Sequence, residues 1–127
     1  MDINTHKNID QRLCGKPVQL EENVCTVQMA AVEEMAADDK GLVHGGFVFG
    51  LADYAAMLAV NDPYVVLGSS TATFLKPVKV GETLLAEARV TSTQGKKHMV
   101  AVTVTRDSIP VFKGELTCFV LDKHVLD

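Results

Sequence analysis

No stretch of the 127-residue chain reaches the ~18 consecutive apolar residues that a membrane-spanning helix requires. Its polar opening, MDINTHKNIDQR, also lacks the apolar centre of a signal peptide. The expected location is therefore the cytoplasm, with no membrane partner. A basic excess is missing too. The formal net charge is -4 and the pI is near 5.5, whereas a hold on DNA or RNA needs a basic face that releases phosphate counterions. Nucleic acid is not an expected partner. The one basic run, Lys96-Lys97, suits either a phosphorylated small molecule or plain solvation in a turn. Cysteine is scarce: Cys14, Cys25 and Cys118 show no C-x-x-C spacing, so neither a disulfide framework nor a zinc knuckle is expected, and the thiols read as reduced and structural. A Gly-x-Ser-x-Gly elbow is absent as well, which removes the nucleophile route of the α/β-hydrolases.

What the chain does have is material for a core, with 47% hydrophobic and 22% charged residues, close to the globular average. Its length fits one domain over residues 1–127, of which the polar, aperiodic 1–12 read as a loosely held arm. Residues 18–31 alternate as a strand, and the acidic EEMAADDKG reads as a connector ending at Gly41. Residues 46–61, GFVFGLADYAAMLAVN, form the long helix; it is apolar on every side and therefore buried, with Pro63 marking its end. After it come strands over 64–75, 83–93, 97–107 and 111–121. Turn chemistry separates them at Lys76-Pro77 to Glu82, at Gln94-Gly95-Lys96 and at Ser108-Ile109-Pro110. Short connections make neighbouring strands antiparallel. Val100, Val102 and Val104 alternate with Ala101, Thr103 and Thr105, so one sheet face is buried. The expected class is α+β, a curved antiparallel sheet packed on one long helix.

Within that helix Asp53 is the one residue charged at neutral pH. Asp is a poor helix former and costly to bury unpaired, so it is either turned to solvent or a structural partner, or it carries chemistry. The helix is approached through His44-Gly45-Gly46, where free N–H groups and the helix dipole favour an anion or a developing oxyanion. A tight turn with a capping His is the plainer explanation of the same residues. Gly45 and Asp53 are eight residues apart, or ~12 Å of helix, whereas a base and an oxyanion donor must both lie about 3 Å from one carbonyl group. One helix cannot do both jobs; two antiparallel helices across a twofold axis can. Catalysis by this pair implies a homodimer.

The run VHGGFVFGLADYAAMLAVN at 43–61, followed by TATFLKPVKVGETLLAEARV at 71–90, resembles the hotdog-fold acyl-CoA thioesterases, specifically their phenylacetic-acid-degradation branch, over roughly residues 24–121. The specific elements are HGG with the Asp of LAD seven residues on, and FLKP with Gly81 in its expected place. The resemblance implies a long helix wrapped by the sheet, with two protomers joined sheet edge to sheet edge. It implies that Asp53 is the catalytic carboxylate, as general base or nucleophile, and that the Gly45 and Gly46 amides, beside His44, polarise the thioester carbonyl. Coenzyme A would lie along the subunit interface, near Ser70, Thr71, Thr73, Phe74 and Lys76 and the turn carrying Lys96 and Lys97. One position departs: many members carry Asn several residues before HGG, where this chain has Asp38.

The leading expectation is thus a thioesterase that releases a free acid and coenzyme A, with neither metal nor organic cofactor, since one carboxylate and a preformed oxyanion site suffice for an activated acyl group. The alternative is an acyl-CoA-binding or regulatory module of the same fold, in whose relatives an amide takes the carboxylate position. A dehydratase of this fold would want its catalytic His in a context that His44 lacks. The acyl group, and whether dimers pair into tetramers, stay open.

Overall fold

The computed structural model describes residues 1–127. The central helix, α2 (Gly45–Val60), follows a short α1 (Gln11–Cys14), the strands β1 (Lys16–Glu21) and β2 (Val24–Ala30), and a single 3-10 turn at Glu33–Met35. After it come β3 (Val65–Phe74), β4 (Thr83–Gln94), β5 (Lys97–Arg106) and β6 (Ile109–Val120). All strands join one antiparallel sheet in the order β1-β2-β4-β5-β6-β3. This is the expected α+β architecture, a hotdog fold.

Alternation places the core. Cys25, Val27 and Met29 of β2, Leu84, Ala86 and Ala88 of β4, Val100, Val102 and Val104 of β5, and Phe112, Leu116 and Cys118 of β6 are all buried against α2. The helix meets them with Leu51, Ala52, Ala55, Leu58 and Ala59. Small side chains on both layers let helix and sheet approach closely and leave few voids. Burial pushes the Cys25 thiol up to about 11, and burial, followed by the charge of Asp53, pushes Cys118 up to about 12. Neither is a thiolate at neutral pH, and all three cysteines are free thiols.

The structure departs from the sequence reading in three places. Residues 18–31 are no single strand: Glu21 pairs with Val24, so Glu22 and Asn23 (φ 64°) make a tight hairpin turn between β1 and β2. The turn expected at Ser108-Ile109-Pro110 is Asp107-Ser108, both at positive φ (50° and 66°), the geometry of a two-residue hairpin. Ile109 and Pro110 belong to β6. Pro110 is tolerated because the β3 ladder ends at Phe74–Phe112, so its missing N–H is not needed on that side. The helix begins one residue early, at Gly45. The N-terminal residues make contacts with the end of α2. Asn61 caps α2 in the left-handed region (φ 55°), accepts from the Asn4 amide and donates to the Asp2 carbonyl, each at 2.8 Å. Thr5 is 5% exposed.

Gly15 links α1 to β1 at φ +96°, and a Cβ there would lie 2.7 Å from Val27 Cγ1 and 2.9 Å from Leu51 Cδ1. Gly15→Ala therefore combines backbone strain with overpacking and is expected to cost about 2–4 kcal/mol. Urea denaturation measures it; an unchanged midpoint would show that the neighbourhood relaxes freely.

Candidate functional site

The strap leading into α2 is fixed on both sides. Met35, fully buried, accepts from the His44 N–H (2.9 Å), and Val78 accepts from the Val43 N–H (2.8 Å). His44 is the N-cap residue, but its side chain makes no capping bond; it is exposed and meets the Phe47 ring edge-on. The first turn of the helix thus points Gly45 and Gly46 N–H groups outward with no side-chain acceptor. Neither glycine has positive φ. A Cβ on Gly45 would make ordinary contact with the Phe74 ring at 3.7 Å, and one on Gly46 would press on the His44 ring at 2.9 Å, where an exposed side chain can yield. Turn geometry and internal packing therefore give no reason for two glycines here. Close approach by something outside the chain does.

Gly45 opens into an apolar cavity of about 240 Å³ lined by Val48, Phe74, Leu75, Lys76 and Val111 among others. Asp53 is not in its lining. It sits further along α2, where its charge is felt by Cys14 and Cys118. Asp53 Oδ1 is buried without a hydrogen-bond partner, and burial raises the carboxyl to about 6. Buried polar atoms are rarely left unpaired, so an orphaned carboxylate oxygen asks for an acceptor role toward something beyond this chain. Gly46, Gly50 and Asp53 share one helix face, and a Cβ on Gly50 would meet nothing within 4 Å. At Gly50 that face has nothing of the chain against it, whereas one turn on, at Asp53 Oδ1, it is buried.

The remaining candidates divide. Phe74 and Lys76 are beside Gly45 in the cavity. Ser70, Thr71 and Thr73 are exposed on β3, an edge strand whose only partner is β6. Lys96 and Lys97 are elsewhere: Lys97 pairs with Phe119, near the start of β3, while the cavity lies by Phe112 at the other end of the ladder. Lys96 bonds Asp122 at 2.7 Å. Sequence reasoning missed a second, more polar cleft of about 530 Å³ that includes Lys40, Lys79 and Arg106 and shares the Pro77-Val78 wall with the apolar cavity. Its residues are far apart in the chain, and no local motif marks them. No group of three or more His, Cys, Asp or Glu is arranged to hold a metal, and no helix is long and apolar enough to cross a membrane.

Residues 40–113 match the family model of the thioesterase superfamily. Among solved structures, an uncharacterized protein from Pyrococcus horikoshii is 51% identical, with a TM-score of 0.99 covering 100% of this chain and 98% of that one. A protein from Streptococcus mutans, solved bound to acetyl CoA, is 28% identical with a TM-score of 0.77, covering 87% and 90%. Among curated relatives, a methylthioribose-1-phosphate isomerase from Aquifex aeolicus is 52% identical over 96% of this chain. The transcription factor FapR of Caldanaerobacter subterraneus is 28% identical over 74%. The chain spans only 27% of the first of these relatives and 47% of the second.

Proposed function

Since the chain belongs to the thioesterase superfamily, we propose that it is an acyl-CoA thioesterase whose active sites form between two copies. The observation that carries the reading is the buried, unpartnered Asp53 Oδ1, one turn beyond Gly50, where the helix has nothing of its own chain against it. With β3 edges paired and the α2 helices antiparallel across a twofold axis, Asp53 of one copy meets the Gly45 cavity of the other. This arrangement also covers the free edge of β3, which would otherwise template unwanted strand pairing.

Chemistry follows from the two groups. The Asp53 carboxylate takes a proton from water as that water attacks the thioester carbon. Charge grows on the carbonyl oxygen, where the Gly45 and Gly46 N–H groups and the positive end of α2 stabilise it. Collapse of the tetrahedral intermediate breaks the C–S bond, and the leaving sulfur recovers the proton from Asp53. No metal or organic cofactor is required. Phe74 and Lys76 line the path of the acyl group or pantetheine arm.

Because burial raises Asp53 to about 6, the base form is populated only above that pH. Thiol release from an acyl-CoA panel is expected, with kcat/KM climbing through about pH 6 to a plateau. A flat profile between pH 5 and 8 at constant substrate saturation would remove Asp53 as the titrating base. The alternative, a non-catalytic acyl-CoA-binding protein, draws support from the likeness to FapR, a transcription factor, over 74% of the chain. It predicts tight binding of acyl-CoA without thiol release.

A further inference from the structure

The cleft beside the apolar cavity sets three cationic side chains, Lys40, Lys79 and Arg106, against two carboxylates, Asp38 and Glu82. Asp38 Oδ1 accepts from the backbone N–H groups of Lys40 (2.9 Å) and Leu42 (3.1 Å). Glu82 Oε1 accepts from the Lys79 backbone N–H (2.6 Å) and from Arg106 (3.3 Å), whose Nη1 also donates to the Pro77 carbonyl at 2.7 Å. Both acids are thus engaged in holding the walls. Arg106 is anchored with its side chain 20% exposed, leaving donors of its fork unused. The ammonium groups of Lys40 and Lys79 have no partner, in a molecule with only three ion pairs and a net charge of -4. A cationic cleft on an acidic protein concentrates anions locally.

Its floor is built for rigidity. Leu42 and Lys79 form an antiparallel bridge, and the Val80 N–H donates to the Gly41 carbonyl at 2.9 Å. The same strap continues through Val43 and His44 into Gly45, so one segment holds the cleft at one end and the oxyanion donors at the other. Lys40 and Gly45 are five residues apart, at most ~17 Å of extended chain. Between them the narrower apolar cavity shares the Pro77-Val78 wall.

We infer that the Lys40-Lys79-Arg106 cleft binds the phosphate groups at the nucleotide end of the coenzyme A thioester, with the pantetheine arm running along the Pro77-Val78 wall to the carbonyl at Gly45. This rests on the thioester reading of the site and replaces Lys96-Lys97 as the phosphate contact. Lys96 is paired with Asp122 and lies away from the cavity, whereas the cleft offers two ammonium groups without an ion-pair partner, and an Arg106 with donors beyond its Glu82 contact, next to the cavity itself. An ADP moiety carrying an extra phosphate is bulky and multiply anionic, and a volume of about 530 Å³ is within the range of small-molecule sites.

The test compares one acyl group carried by coenzyme A and by pantetheine, which has no phosphates. Lys40→Ala/Lys79→Ala is expected to lower the ratio of the two kcat/KM values by roughly 10-fold, with the wild-type ratio itself falling as salt is raised. An unchanged ratio overturns the inference. So does a loss of the ratio in Lys96→Ala/Lys97→Ala instead, or a penalty that follows a carboxylate on the acyl group whichever carrier is used. If neither thioester is hydrolysed, the catalytic reading fails, and calorimetric titration with coenzyme A still decides on the cleft. A Kd weakened about 10-fold by the double substitution upholds it; no binding to the wild type, or equal binding to both, overturns it.

Discussion

Asp53→Asn is expected to cut kcat by at least ~10²-fold while making the protein more stable. The two effects share one cause. Burial lifts the carboxyl from 3.8 to about 6, so the fold bears the cost of an ionised, desolvated group at neutral pH. In linkage terms, the raised folded value means that the proton bound at Asp53 favours the native state. Its stabilisation is complete below the unfolded value near 3.8 and is lost as pH rises through about 6. Removing the charge removes that loss at pH 7, a gain on the order of 1–2 kcal/mol after allowing for partial solvent contact. Guanidinium denaturation of wild type and variant at pH 5 and pH 7 measures it: the gap should open at pH 7 and narrow at pH 5. A stable variant that hydrolyses thioesters at the wild-type rate would end the assignment of Asp53 as the base.

The second large effect is recovery of activity from two dead chains. Gly45 and Asp53 lie on one helix with ~12 Å between them, and the cavity at Gly45 does not include Asp53. A Gly45→Val homodimer and an Asp53→Asn homodimer are each expected to be inactive, the first because a bulky side chain blocks approach to the first-turn amides. In a heterodimer one site carries both lesions and the other carries neither. Random pairing at equal amounts makes half of the dimers mixed, each with one good site, so activity should return to about a quarter of the wild type. Co-refolding at several ratios, with heterodimers verified by native mass spectrometry, gives the curve. If verified heterodimers stay inactive, the two groups do not act across an interface.

The helix was legible from its composition, a long Ala-, Leu- and Met-rich run, and the last three strands from turn residues and alternation such as that of Val100, Val102 and Val104. The β1–β2 hairpin was not. Glu22 and Asn23 bring no glycine or proline, so the turn is marked only by a short polar run, Glu21-Glu22-Asn23, that interrupts the alternation. The contacts of the N-terminal residues were hidden for another reason: Asn4 and Asp2 bond to Asn61, a partner that only tertiary structure supplies. At the candidate site, His44, Gly45, Gly46 and Asp53 were visible because they fall in one short run. Lys40, Lys79 and Arg106 were not, because their meeting depends on a bridge between loops and on the far end of the β5 strand. Contiguous motifs can be read from the chain, while clefts assembled by antiparallel pairing need the fold.

Strand order has a consequence for how the chain is made. β3 leaves the ribosome before β4, β5 and β6, yet its sole partner in the sheet is β6, with Val65 set against Val120. Until the end of β6 emerges, β3 has two open edges and no neighbour, a long-range closure that slows folding and exposes a sticky strand. Once β6 docks, one edge is satisfied and the other is presented. The sequence order of the strands therefore makes β6, the last to emerge, the piece that closes the sheet and removes half of the exposed strand edge.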